Sequence, residues 1–334
     1  MLSNKIAIDL GTANSLVYVS GKGIVLREPT VVAVSIDDEK VVAVGAEARD
    51  MLGKTPEGIT ATRPLKNGVI ADYSVTEALL RYFINKVSGK TRLFRPDVIV
   101  SIPAGATSVE ARAVLEAAYS AGAKRAYLIP EPLAAAIGAG LPVSEPSGNM
   151  IVNIGGGTTE IAIVSLYGMV VYGSVRVGGN ALDEFIAQHI RRKYNLVIGE
   201  ITAERVKIEI GAAFPLPKDK TMEVKGRDYV TGFPKTITIA SSEIVQILSQ
   251  PLSQIASSIK NVLEKTPPEL ASDIIDKGIV LSGGTALLKN LDKHITHFTG
   301  VPVHISDEPL LCVVKGLAKA LENFDIFSKS MIKR

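Results

Sequence analysis

The chain has 334 residues, 46% of them apolar, with 37 Lys and Arg against 34 Asp and Glu for a formal net charge of +3. That balance excludes a disordered chain and a clustered basic groove for nucleic acid, and no apolar run reaches the ~18 residues a membrane-spanning helix needs. A single cysteine, Cys312, excludes an internal disulfide; its apolar setting in LLCVVKGLAKAL marks a buried thiol suited to a reducing compartment.

The chain opens on IAIDLGTANSLVYVS, Ile6 to Ser20: a buried strand, a polar residue near its end (Asp9), a small-residue turn and a second strand. This strand starts too early to leave room for a signal peptide. Short strands and turns follow in GIVLREPTVVAVSI and KVVAVGAEARDMLG, then the loop TRPLKNGVIADY. Leu79, Leu80, Phe83 and Ile84 share one face of a helix expected from Thr76 to Val87. DVIVSIP reads as a buried strand, and SVEARAVLEAAYSAGA as a helix capped by Thr107 or Ser108 and stopped at Gly122. YLIPEPLAAAIGAGL reads as strand, turn and helix. LGKTP and SGKTR each contain the end of a P-loop, yet neither has a glycine five residues before its Gly-Lys pair, which excludes both.

The stretch MIVNIGGGTTEIAIVS, Met150 to Ser165, repeats the opening plan. Sliding one copy onto the other by 144 positions places Asp9 on Asn153, Gly11 on Gly155, Thr12 on Gly156 and Val17 on Ile161. Gly155, Gly156 and Gly157 carry no Cβ, so their amides can turn toward an anion as a concave nest for phosphate oxygens. One glycine hairpin alone is as readily a tight turn; two copies imply two similar half-molecules gripping one polyphosphate from both sides. Helices from Ala181 to Tyr194 and Thr202 to Ile210, a short β region from Met222 to Ile239 and long helices after Ser241 complete the second half. Within it GIVLSGGTALLKNL, Gly278 to Leu291, reads as a strand, a glycine turn and a helix capped by Thr285, where a ligand can meet a helix N-terminus. Alternating strands and helices give an α/β fold with covered sheets. The four histidines form no ligand cluster; His294 and His297 share a helix face but lack a third partner.

Seven stretches in this order, IDLGTANSLVYV, RPLKNGVIADY, EPLAAAIGAGLP, IGGGTTEIAIVSL, IGEITAERVKIEIG, TPPELASDI and LSGGTALLKNLD, resemble the MreB family of bacterial actins from about Ile6 to about Leu321. The resemblance implies an actin-like α/β fold of two duplicated domains, four subdomains in all, around a central nucleotide cleft. The first domain would be residues 1–140 plus 310–334 with an insertion at about 32–65, and the second 141–309 with an insertion at about 181–242. It further implies a cytoplasmic protein that binds ATP or ADP with Mg²⁺, hydrolyses ATP slowly and polymerises into paired protofilaments. These would lie on the inner face of the cytoplasmic membrane and guide cell-wall synthesis with wall-synthesis and transmembrane adaptor proteins.

Carried over by matching motif, Thr12, Ala13 and Asn14 would contact phosphate from the first hairpin, and Gly155, Gly156, Gly157 and Thr158 from the second. Asp9 would hold Mg²⁺ through water, because a small hard cation keeps much of its hydration shell. Glu204 and Lys207, one helical turn apart, would meet the ribose and base. Gly283, Gly284, Thr285, Ala286 and Leu287 would close over the adenosine. Glu131 would orient the attacking water, with Thr158 and Asn153 beside it.

Four departures qualify this expectation. Asn153 stands where the family usually has Asp, Pro130 where an acidic or other polar residue precedes Glu131, Thr285 in place of a third glycine, and Asn180 in place of an Asp after VGG. Asn keeps the shape of Asp and one acceptor oxygen but no charge, so nucleotide binding should persist while water activation falls. Its amide is expected to point toward phosphate or Thr158. Two alternatives stay open: a small-molecule phosphotransferase of the same superfold, for which this compact chain has no spare substrate segment, and a filament that binds ATP without hydrolysing it. In GKTRLFRPD, Leu93 and Phe94 lie between Lys90, Arg92 and Arg95 and read as a hydrophobic tip with a basic collar for an anionic membrane surface, the alternative being that both fold into the core.

Overall fold

The computed structural model describes residues 5–38, 40–88 and 95–332. The first hairpin, β1 (Lys5–Leu10) and β2 (Asn14–Val19), runs on into β3 (Gly23–Pro29). A small sheet follows, made of β4 (Val32–Ser35), β5 (Val41–Val44) and β6 (Ile59–Thr62) with the short helix α1 (Ala46–Asp50). A tight hairpin, β7 (Leu65–Lys66) and β8 (Val69–Ile70), leads to α2 (Tyr73–Ser88). Then come β9 (Asp97–Ile102), α3 (Ser108–Ser120), β10 (Arg125–Pro130) and α4 (Glu131–Gly138).

The second half starts with β11 (Asn149–Ile154), β12 (Thr159–Ser165) and β13 (Gly168–Val175). Its insertion contains α5 (Gly179–Tyr194), β14 (Leu196–Val197), α6 (Glu200–Ile210), β15 (Thr221–Asp228) and β16 (Pro234–Ala240). The helices α7 (Ser241–Glu264) and α8 (Pro268–Lys277) precede β17 (Ile279–Ser282), α9 (Leu291–Thr299) and β18 (Val303–Ile305), and α10 (Cys312–Glu322) packs back against β1 and β2.

Two five-stranded sheets form the frame, ordered β10-β9-β1-β2-β3 and β18-β17-β11-β12-β13, so the halves match strand for strand. The match extends to register: Asp9 faces Leu16 across the first hairpin and Asn153 faces Glu160 across the second, each pair offset from its counterpart by the 144 positions read from the sequence. Each half also carries a three-stranded sheet in its insertion, β5-β4-β6 in the first and β14-β15-β16 in the second.

Alternation along the strands sends side chains to two different cores. On β12, Ile161 and Ile163 join the core under α5 and α7, whereas Ala162 and Val164 face a layer shared with Ala7 of β1 and with α4 and α10. Helix α4 is apolar nearly all round because it is buried on every side in that layer. It crosses α10 so closely that a Cβ on Gly138 would lie 1.7 Å from the Cys312 carbonyl oxygen, and one on Gly316 1.8 Å from that of Ala134. The crossing forms the floor on which the two sheets meet. Helix α3 begins with a capping box: Glu110 N–H donates to Thr107 Oγ1 at 3.2 Å and Thr107 N–H to Glu110 Oε2 at 2.7 Å, which assigns the cap to Thr107.

Candidate functional site

The two hairpin turns, the first residue of α4, helix α6 and the turn after β17 converge on one cavity of about 370 Å³. Its walls include Asp9, Thr12, Ala13, Asn14, Glu131, Asn153, Gly155, Gly156, Gly157 and Thr158, together with Glu204, Lys207, Gly283, Gly284, Thr285 and Leu287. Ala286 is fully buried in the core of the second half instead. Leu93 and Phe94 fall outside the described residues.

The two turns touch. A Cβ on Gly156 would come within 2.6 Å of the Ala13 Cβ, so the absence of a side chain there is what lets the loops close on each other. Each loop is braced from outside: Thr30 Oγ1 donates to Gly11 O at 2.7 Å and Gly68 N–H to Thr12 Oγ1 at 3.0 Å, while Gly179 and Asn180 donate backbone N–H to Gly155 O and Gly156 O at 3.0 and 2.8 Å. Backbone amides held in this way need no further reorganisation to meet an anion.

Thr285 caps no helix. Gly283, with φ of +85°, turns the chain into a single 3₁₀ turn (Gly284–Leu287), and α9 starts only after Asn290 in a left-handed conformation. Thr285 Oγ1 instead donates to Gly155 O at 2.9 Å, tying this turn to the second hairpin.

Asn153 does not turn toward Thr158. Its Nδ2 donates to Glu131 Oε2 at 3.4 Å and its Oδ1 accepts from Ser282 Oγ at 2.8 Å. The same arrangement holds in the first half, where Ser101 Oγ donates to Asp9 Oδ1 at 2.9 Å. These two serines occupy matching places, on β9 beside β1 and on β17 beside β11; sequence reading marks Ser282 only as part of the glycine turn and overlooks Ser101. It also overlooked Glu160, fully buried opposite Asn153, whose Oε1 accepts from Ser174 Oγ at 2.7 Å and Oε2 from the Ala104 N–H at 3.1 Å.

Two buried carboxyl groups, Glu131 and Glu160, and the partly buried Asp9 therefore gather at one end of the cavity. Burial raises Asp9 to about 6 against the opposing hydrogen bond from Ser101. Burial, then the negative charges of Glu160 and Asp9, push Glu131 well above the usual carboxylate range, and the Asn153 amide acts the other way. Burial raises Glu160 too, opposed by its hydrogen bonds to Ser174 and Ala104. Among the described residues no group of three or more His, Cys, Asp or Glu is placed to hold a metal ion directly, so a cation here would have to meet Asp9 through water. At the other end Lys207 Nζ is held by Asp183 Oδ2 and Gly179 O at 2.8 and 2.9 Å, and Glu204 is paired with Arg49.

The model of the MreB/Mbl protein family matches residues 3–329. The cell shape-determining protein MreB of Escherichia coli K12 is 52% identical over 331 residues, covering 98% of this chain and 95% of the relative. The cell shape-determining protein Mbl of Bacillus cereus is 48% identical over 333 residues, covering all of both chains. Crystal structures of MreB5 of Spiroplasma citri superpose with TM-scores of 0.93 (bound to AMPPNP, 37% identical) and 0.92 (bound to ADP, 38% identical); each covers 98% of this chain, and 99% and 98% of the neighbour. The chain belongs to the MreB/Mbl family and has the actin-like α/β fold of its solved members.

Proposed function

We propose that this chain is an ATP-binding bacterial actin that assembles into filaments on the inner face of the cytoplasmic membrane and guides cell-wall synthesis in setting cell shape. The observation that carries the reading is the convergence of two duplicated, mutually braced hairpin turns on one cavity, in a chain whose close structural relatives were solved with AMPPNP and ADP. The backbone amides of Gly155 to Thr158 and of Thr12 to Asn14 grip the polyphosphate. Lys207 and Glu204 border the ribose side, and the turn Gly283 to Leu287 the adenosine. Asp9 would hold Mg²⁺ through water, and the ion would supply positive charge to the phosphates. Glu131 is the acceptor toward which an attacking water is aimed, Thr158 flanks it, and Asn153 orients the Glu131 carboxylate through its amide. Hydrolysis is slow because Asn153 carries neither the charge nor the proton-accepting ability of an Asp at that place.

Leu93 and Phe94 with their basic neighbours serve as the membrane tip, each cation adding ~1 kcal/mol near an anionic surface and the filament multiplying weak monomer contacts. Sedimentation at micromolar protein, with and without ATP and anionic liposomes, tests the whole reading. ATP should drive pelleting, and the Leu93→Ser/Phe94→Ser variant should still pellet with ATP yet fail to bring liposomes down. No polymer under any of these conditions, with ATP turnover accelerated by a sugar or acid, would establish the phosphotransferase alternative instead.

A further inference from the structure

Above the cleft the two insertions are joined by charge. Arg63, just after β6, places Nε 2.8 Å and Nη2 2.5 Å from Glu200 Oε1 at the start of α6, and its Nη1 donates to the Ala13 carbonyl in the first phosphate loop at 3.3 Å. Arg49 on α1 places Nη2 2.5 Å from Glu204 Oε2, one turn further along α6. Among the described residues, these are the ion pairs that connect one insertion to the other. Beneath them lies a second cavity of about 840 Å³, with Arg63, Ala61, Glu200 and Ala203 in its walls; Thr12 and Gly157 border both cavities.

We propose that the Arg63–Glu200 and Arg49–Glu204 pairs form a latch that sets the rate of nucleotide exchange, an inference that rests on reading the first cavity as a nucleotide site. The close crossing of α4 and α10 fixes the two halves at the floor of the cleft, so a hinge there parts the insertions most at their far ends. Both pairs then break in one step. A single partly exposed ion pair contributes little, but two lost together multiply their effects on a rate. Helix α6 transmits the state of the latch inward, because Glu204 belongs to both the latch and the first cavity and Lys207 lies on the next turn. Arg63 adds a second route: when it leaves Glu200, its hold on the Ala13 carbonyl loosens the phosphate loop.

Glu200→Gln separates a latch from general electrostatics. Glu200 is an anion near an anionic ligand, so removing its charge slows release if only long-range repulsion counts, whereas unlatching speeds it. Release of a fluorescent ADP from monomers, chased with excess ADP, should be ~2- to 5-fold faster in Glu200→Gln and in Arg63→Gln than in the wild type, with the double variant no faster than the faster single. Spin labels on cysteines introduced at Lys40 and Val230, both exposed, report the latch without nucleotide, since the native Cys312 is buried. Each single variant should shift their separation to longer distances. A wild-type protein that binds no ADP would defeat the nucleotide reading alone, and the label distances would still decide the latch. Release from Glu200→Gln at or below the wild-type rate, or an unchanged distance distribution in nucleotide-free protein, overturns the proposal.

Discussion

Asn153 lies between two buried carboxyl groups, opposite Glu160 and bonded to Glu131. An Asp at this place would remove the amide donor and add a charge to a site already short of counterions. Nucleotide-free Asn153→Asp should therefore lose ~1–3 kcal/mol of stability at pH 7.5. With ATP and Mg²⁺ present the added carboxylate has a cation to meet and can accept from the attacking water, so phosphate release should rise several-fold over wild type at equal assembly. Equal rates would show that Asn153 does not limit hydrolysis. Asp9 gives a pH-dependent counterpart. Its folded-state value, raised from 3.8 to about 6, means that the folded protein binds the proton more tightly than the unfolded chain. Stability is thus present below the unfolded value and is lost as pH rises toward 6. Asp9→Asn escapes that loss: without nucleotide or metal it should be ~2–3 kcal/mol more stable than wild type at pH 7.5 and indistinguishable at pH ~3 in urea unfolding. A constant difference across that range would contradict burial as the cause.

At the scale of elements, the hairpins were legible because their strands, turns and polar residues recur at a fixed offset that survives folding unchanged. The serines were not. Ser101 lies 92 residues from its partner Asp9 and Ser282 129 residues from Asn153, because insertions of different length separate the matching strands. Glu160 was not legible either, since nothing local says that the loop at Ala104 meets its carboxylate. GIVLSGGTALLKNL reads as a strand, a glycine turn and a helix capped by Thr285, but Gly283 and Asn290 each adopt positive φ and confine the intervening segment to one 3₁₀ turn. The α4–α10 crossing was also invisible, since nothing local says that AAAIGAG and VVKGLAK meet. Its glycines make it testable: Gly316→Val places a branched side chain on the Ala134 carbonyl and should cost ~2 kcal/mol or more in urea unfolding. A loss under about 0.5 kcal/mol would mean that the helices separate easily and that the floor of the cleft is not fixed by their contact.

For the whole molecule, two copies of one sheet share a buried helical layer below and a cavity above, and the arrangement makes the cavity depend on both halves at once. Duplication and the seven motifs made that plan readable in advance. The ion pairs across the insertions were not, because Arg49, Arg63 and Glu200 look like ordinary surface charges, and Glu204 like a contact to the ribose, until the fold brings them together. The most direct measurement is a calorimetric titration of ATP with Mg²⁺ into the wild type and into Gly156→Val, where the added side chain would strike Ala13 and wedge the two loops apart. The account predicts saturable binding of a single ATP per wild-type chain and none to Gly156→Val that keeps its wild-type circular dichroism. Equal binding by both proteins, or none by the wild type, would contradict a nucleotide site built from the two hairpin loops.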